Sequence, residues 1–131
     1  MRGKIESDPI FPGILSAAAL AAAVLFAALA ASPADAQRFP EFSDPRLKQG
    51  RGIWLGTCEA CHANDVAGAP LVTNKAAWAP RLANGREALY RSALGGLTGP
   101  RGAQMPARGG NDRLTDDQVK AAVEYMMALV R

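Results

Sequence analysis

The sequence predicts an all-α domain preceded by an N-terminal export-type segment. Three observations carry that prediction: a single uncharged apolar run near the start, helix-start signals with apolar spacing of three and four after it, and no alternating β pattern anywhere in the remainder.

The chain has 131 residues, with 15 Lys and Arg against 12 Asp and Glu. Arg2 and Lys4 precede an apolar run from Ile14 to Ala31, mostly Ala with Leu, Val and Phe26. Ala34-x-Ala36 then offers the small residues that signal peptidase reads, so the segment 1–36 is expected to be a signal peptide cut after Ala36. The run is also close to the ~20 residues that span a bilayer. Residues 14–31 therefore have a second reading as an uncleaved anchor in the inner membrane.

Residues 37–131 make one domain of 95 residues, with 13 Lys and Arg against 9 Asp and Glu. The excess is mild, mostly Arg, and scattered. No dense basic tract of the kind that tracks nucleic acid is present, so nucleic acid is excluded as a partner, and the excess favours acidic protein surfaces or no strong preference. A domain this small buries a modest core and usually needs a staple. With two cysteines in the chain, any staple must involve them.

The first helix begins at Ser43-Asp44-Pro45, where Asp44 serves as N-cap and Pro45 takes the first helical position. Leu47, Gly50, Trp54, Cys58 and Cys61 recur at threes and fours, so the cysteines continue its apolar stripe. A short helix over residues 74–79 is ended by Pro80, and another over 85–94 is closed by Gly95-Gly96. The last helix, about 116–130, is the best specified. Thr115-x-x-Gln118 makes a capping box, Asp116 and Asp117 complement the helix dipole, and Val119, Ala122, Val123, Met126 and Val130 form an apolar face with Tyr125 beside it. Between the last two helices, residues 97–112 are rich in Gly and Pro and read as a long functional loop containing Met105-Pro106.

Chemistry concentrates at Cys58-Glu59-Ala60-Cys61-His62. Two thiols three apart on a helical turn point to one side, and an imidazole directly after them reaches a metal from that same side. This is the signature of covalent haem c attachment. A redox dithiol would want a βαβ context, a zinc site four ligands, and a disulfide across two residues would close too small a loop to matter. His62 is the only histidine, so bis-histidine ligation within one chain is excluded. Met105, 43 residues later in the Gly- and Pro-rich loop, is the leading candidate for the sixth iron ligand, with Pro106 restricting the backbone beside it. Met126 and Met127 are the comparison, in a helix where methionine is ordinarily core filler.

These separated motifs together resemble the class I c-type cytochromes, and within them the cytochrome c5 family. The likeness runs over about residues 46–127 and includes Gly50 with Trp54, the Cys58–His62 motif, Gly68-Ala69-Pro70, Trp78-x-x-Arg81, Met105-Pro106-x-Arg108-Gly109-Gly110-Asn111 and Ala122-Val123-x-Tyr125-Met126. The resemblance implies a small fold of about four helices around one covalently bound haem. Pro70 would accept a hydrogen bond from His62, Trp78 and Arg81 would face the haem propionates, and Gly50 would let the first helix approach the last near Ala122 and Tyr125. It also implies a periplasmic one-electron carrier rather than an enzyme, whose redox protein partners dock at an exposed haem edge.

A dedicated cytochrome subunit of a periplasmic dehydrogenase or oxidase, and a sensor haem that releases Met105, are the rival functions. Membrane contact would follow only from retention of the N-terminal segment. Two departures from the family pattern bear on the site. There is no second cysteine pair, and Ala107 stands where a second proline is common, so the Met105 loop is expected to be held by Pro106 and the haem alone. Asn64 and Asp65 replace the glycines usual after the haem histidine.

Overall fold

The computed structural model describes residues 38–131, so the predicted signal segment 1–36, its cleavage point and the apolar run 14–31 lie outside the described residues. Five helical pieces appear in chain order: α1 (Pro45–Ile53), α2 (Glu59–His62), α3 (Lys75–Ala83), α4 (Arg86–Gly95) and α5 (Asp116–Val130). Among the described residues no helix is long and apolar enough to cross a membrane.

Asp44 caps α1 through its carboxylate, which accepts from the Arg46 and Leu47 amides, with Pro45 in the first turn. The first helix is not uniform. Trp54–Cys58 forms one π-turn between α1 and α2, with the Glu59 N–H reaching back to Trp54 O across five residues. One residue more than an α-turn is thereby accommodated between the core residue Trp54 and the Cys58 motif, a shift that a stripe of apolar residues does not announce.

The α3 helix corrects the expected boundary, because it continues through Pro80 to Ala83. Pro80 withdraws a donor from the Ala76 carbonyl, but Ala76 and Pro80 both face solvent, so water can take that carbonyl. The Asn74 side chain caps the helix start by accepting from the Ala77 amide. The α4 boundaries follow the two glycine signals, with Gly85 and Gly96 at positive φ on either side.

Residues 97–112 are more ordered than a plain loop. Leu97–Thr98 (β1) and Gln104–Met105 (β2) pair as a minimal antiparallel hairpin, Leu97 opposite Met105, with a short 3-10 turn at 100–102 between the strands and another at 107–110 after them. The pairing is too short for any periodic pattern to signal it.

Helix α5 has the capping box as predicted, Thr115 Oγ1 accepting from the Gln118 amide and Gln118 Oε1 from the Thr115 amide. It is buried on two sides rather than one. Ala121 and Tyr125 meet α1, while Val119, Ala122, Val123 and Met126 line the cavity described below. Val123 is only half-buried, and Met127, at 4% exposure, belongs to the core.

Gly50 lies directly on α5: a β-carbon there would sit 2.0 Å from Ala121 O and 3.0 Å from Tyr125 Cβ. Trp54 and Tyr125 are fully buried beside this crossing, with ring centroids 5.8 Å apart. Phe39, which the sequence reading left out of the core, is 1% exposed and packs on Trp54 at 4.4 Å. Backbone carbonyls hold its segment down: Phe39 O accepts from Arg51 Nε and Pro40 O from the Tyr125 hydroxyl. On the other flank, Tyr90 of α4 donates to Glu124 of α5, which also pairs with Arg86 at 3.0 Å. Burial, reinforced by that carboxylate, pushes the Tyr90 phenol up to about 12.

Gly50→Ala should cost about 3 kcal/mol or prevent folding, since the added methyl meets backbone that cannot give way. Chemical denaturation followed by helical circular dichroism would measure it, and an unchanged midpoint would mean that the helices do not cross there.

Candidate functional site

The proximal wall grows out of the π-turn. Cys58, its last residue, begins the attachment motif, Cys61 follows one turn later, and both thiols are half-buried and unpaired. Burial, then the neighbouring Cys61, pushes the Cys58 thiol up to about 11. That is opposite to the lowered thiol of a redox dithiol. Among the described residues no three His, Cys, Asp or Glu side chains cluster as a metal site would need.

His62 is 7% exposed and fixed twice by the segment after it. Its Nδ1–H donates to Pro70 O at 2.9 Å, and its own carbonyl accepts from the Val72 amide at 2.9 Å. A carbonyl only accepts, so Nδ1 carries the proton and the Nε2 lone pair remains for a metal. Burial holds the imidazole below its ordinary pKa; the Pro70 bond opposes this, and the Arg81 charge adds to it. A neutral ring suits metal ligation.

Trp78, 6% exposed, lies 5.9 Å from the His62 ring between centroids, and its Nε1–H donates to Leu71 O at 2.9 Å. It therefore braces the Pro70–Val72 segment that holds His62. Arg81 turns back along its own helix, donating to Ala77 O, with its guanidinium carbon 6.0 Å above the Trp78 ring. Asp65 and Ala67, in the turn between His62 and Pro70, both take positive φ, at 54° and 53°. At these two positions the turn adopts glycine-like backbone without glycine, at a cost of roughly 1 kcal/mol per residue, and Gly68 follows at 73°.

A partly open, apolar cavity lies between this wall and the rest of the fold. Cys58 and His62 reach it from one side, and Met105 from the hairpin that carries it. Ile53, Ala93, Leu114, Val119, Ala122 and Val123 give it apolar walls. Met126 also lines it, so two of the chain's methionines reach the same space, whereas Met127 does not. A largely apolar group that takes donors from two separate segments suits this lining. The set contains one thiol and an imidazole together and a thioether from a separate segment, in keeping with the donor chemistry of covalent haem c; Cys61, the second thiol of the motif, is half-buried one turn on and does not line the cavity.

The Met105 loop is held by more than Pro106. Gly96 packs on its backbone, a β-carbon there falling 2.9 Å from Met105 O. Arg108 donates to Leu114 O and to the Asp116 carboxylate, and Asn111 donates to Thr57 Oγ1 at 3.4 Å. The expectation of a loop held by Pro106 and haem alone is corrected by these contacts. Arg108 stood within a motif, but no spacing rule predicts that it reaches forward to the start of α5.

Comparisons with known proteins agree with this geometry. The family model described as cytochrome C oxidase, cbb3-type, subunit III, matches residues 45–126. Cytochrome c-555 of Chlorobaculum tepidum is 46% identical over 78 residues, covering 60% of this chain and 71% of the relative. Cytochrome c5 of Azotobacter vinelandii is 35% identical over 84 residues, covering 63% of this chain and 95% of the relative. A cytochrome c solved in an electron-transfer complex with nitrite reductase has 41% identity and a TM-score of 0.57, covering 67% of this chain and 98% of its own.

Trp78→Phe should cost about 1 kcal/mol, because it removes the donor from Leu71 O. Denaturant unfolding of the haem-loaded protein would measure the loss, and an unchanged midpoint would deny Trp78 its bracing role.

Proposed function

Because this chain belongs to the class I c-type cytochromes, and is of the cytochrome c5 kind, we propose that it is an exported carrier whose haem iron is held between His62 and Met105. It is a monohaem electron-transfer protein with one covalently bound haem c. Cys58 and Cys61 would supply the thioether bonds.

The observation that carries the ligand assignment is the single cavity reached by Cys58 and His62 from one segment and by Met105 from another. Bound there, haem supplies a one-electron couple. The residues around it decide how that couple behaves. Pro70 and Val72 hold His62 with Nε2 free, and the apolar walls keep water from the site. Thioether sulfur favours ferrous iron, so Met105 would raise the reduction potential relative to a second imidazole. With both axial positions taken by protein, an electron passes without a bond being made or broken. Met105 is favoured over Met126 because it lies on a hairpin and turn segment rather than within the capped α5 helix.

Export is supported by the Ala34-x-Ala36 site after the apolar run, and by the oxidising compartments in which exported proteins keep paired thiols. The solved relative's association with nitrite reductase supports redox proteins as partners, docking at an exposed haem edge. The description of the matching family model favours a second reading, a dedicated cytochrome subunit of a periplasmic oxidase or dehydrogenase. Co-purification with a catalytic subunit would favour the subunit, and isolation as a free monomer the carrier.

The purified protein should stain for haem on a denaturing gel and show a six-coordinate reduced-minus-oxidised spectrum; an unstained band would overturn covalent attachment. Met105→Ala should abolish the sulfur-to-iron absorption band, let carbon monoxide bind the ferrous protein, and lower the reduction potential by on the order of 100 mV. Retention of that band would instead point to Met126.

A further inference from the structure

We propose that Arg108 is a positioning residue for Met105: its guanidinium, forked across Leu114 O and the Asp116 carboxylate, ties the Met105 loop to the start of α5 and so sets how firmly the iron keeps its sixth ligand. The inference rests on the reading of Met105 as that ligand.

The backbone is the first observation. Arg108 has φ 54° and ψ 24°, a left-handed conformation that costs an arginine free energy and persists only where the surroundings over-determine it. Gly109 and Gly110 follow at φ 66° and 83°, so three successive left-handed residues turn the chain just beyond Met105-Pro106-Ala107. A family motif ending in two glycines would reach this turn more cheaply with a third. An arginine here must supply something that glycine lacks.

Its side chain supplies the second observation. Nη1 donates to Leu114 O at 2.9 Å and Nη2 to Asp116 Oδ1 at 2.5 Å, a planar fork that only guanidinium presents. The anchor is rigid, because Asp116 opens α5 next to the Thr115 capping box. Arg108 and Leu114 also line the cavity together with Met105, so the tie runs alongside the site rather than remote from it. On the loop's other side, Gly109 lies against the Thr57 methyl, where a β-carbon would come within 2.9 Å. The loop is thus confined between α5 and the residue preceding Cys58.

The size of the effect follows from exposure. The Asp116 side chain is 62% exposed, so its ion pair is largely screened, and the bond to Leu114 O contributes more. The tie should therefore bias ligand retention rather than decide folding.

Arg108→Gly separates the two roles, since glycine adopts the same backbone freely and loses only the fork. In the ferric haem-loaded protein, titration with imidazole, which competes for the sixth position, should show about three- to tenfold tighter binding in Arg108→Gly than in the parent. Arg108→Lys, with the charge but no fork, should fall between them. Unchanged imidazole affinity in both variants would overturn the proposal. Met105→Ala is titrated beside them. If it alters imidazole binding and the sulfur band while the Arg108 variants alter neither, the tie is refuted and the ligand assignment stands; if Met105→Ala alters nothing, the ligand assignment itself fails.

Discussion

Backbone meets backbone where α1 crosses α5, because Gly50 leaves no room for a β-carbon beside Ala121 O, and this contact sets the position of both walls of the site. The continuation of α1 carries Cys58 and His62, while the face of α5 adjoining the crossing carries Val119, Ala122 and Met126 into the cavity. Moving the crossing by one residue would turn a different face of α5 toward the cavity. Aromatic packing of Phe39, Trp54 and Tyr125 fills the space on the opposite side.

From that frame the two sides of the cavity are organised differently. On the proximal side, His62 and the segment that fixes it lie within ten residues, and both the ring and the backbone of His62 are hydrogen-bonded to that segment. On the distal side, Met105 arrives on a two-residue strand pair, and its loop depends on contacts to three separate places: Gly96, Thr57 and the start of α5. Of the distal contacts only the one to Thr57 closes a long loop, while those to Gly96, Leu114 and Asp116 are as short-range as the proximal ones; what differs is that they are gathered from separate elements.

That difference also explains what could be read from the sequence. The α5 helix and the attachment motif were legible because their determinants are contiguous: a capping box with its dipole charges, and five residues that together define a chemistry. The Asp44 cap and the Gly85 and Gly96 boundaries were legible for the same reason. The π-turn was not, since a single extra residue in a helix changes no composition and the apolar stripe tolerates it. Pro80 was misread as a terminator because its tolerance depends on the exposure of Ala76, which is a tertiary fact. Phe39 joins the core only because Arg51 and Tyr125, distant in the chain, hold the backbone around it. Arg108 shows the same limit from the functional side: its motif was visible, but the carbonyl it reaches was not.

An electron carrier gains from rigidity, since every group that moves between oxidation states adds to the reorganisation that the transfer must overcome. By that criterion the proximal side is settled by short-range geometry, with His62 neutral, buried and doubly bonded. The distal side is where sequence variation can act without disturbing the fold, because the Met105 loop contributes little to the α1–α5 core. Ala107 in place of proline relaxes that loop, while the left-handed Arg108 tightens it at the expense of local strain. The departure from the family pattern and the unusual backbone therefore act on one quantity, the strength of the distal bond.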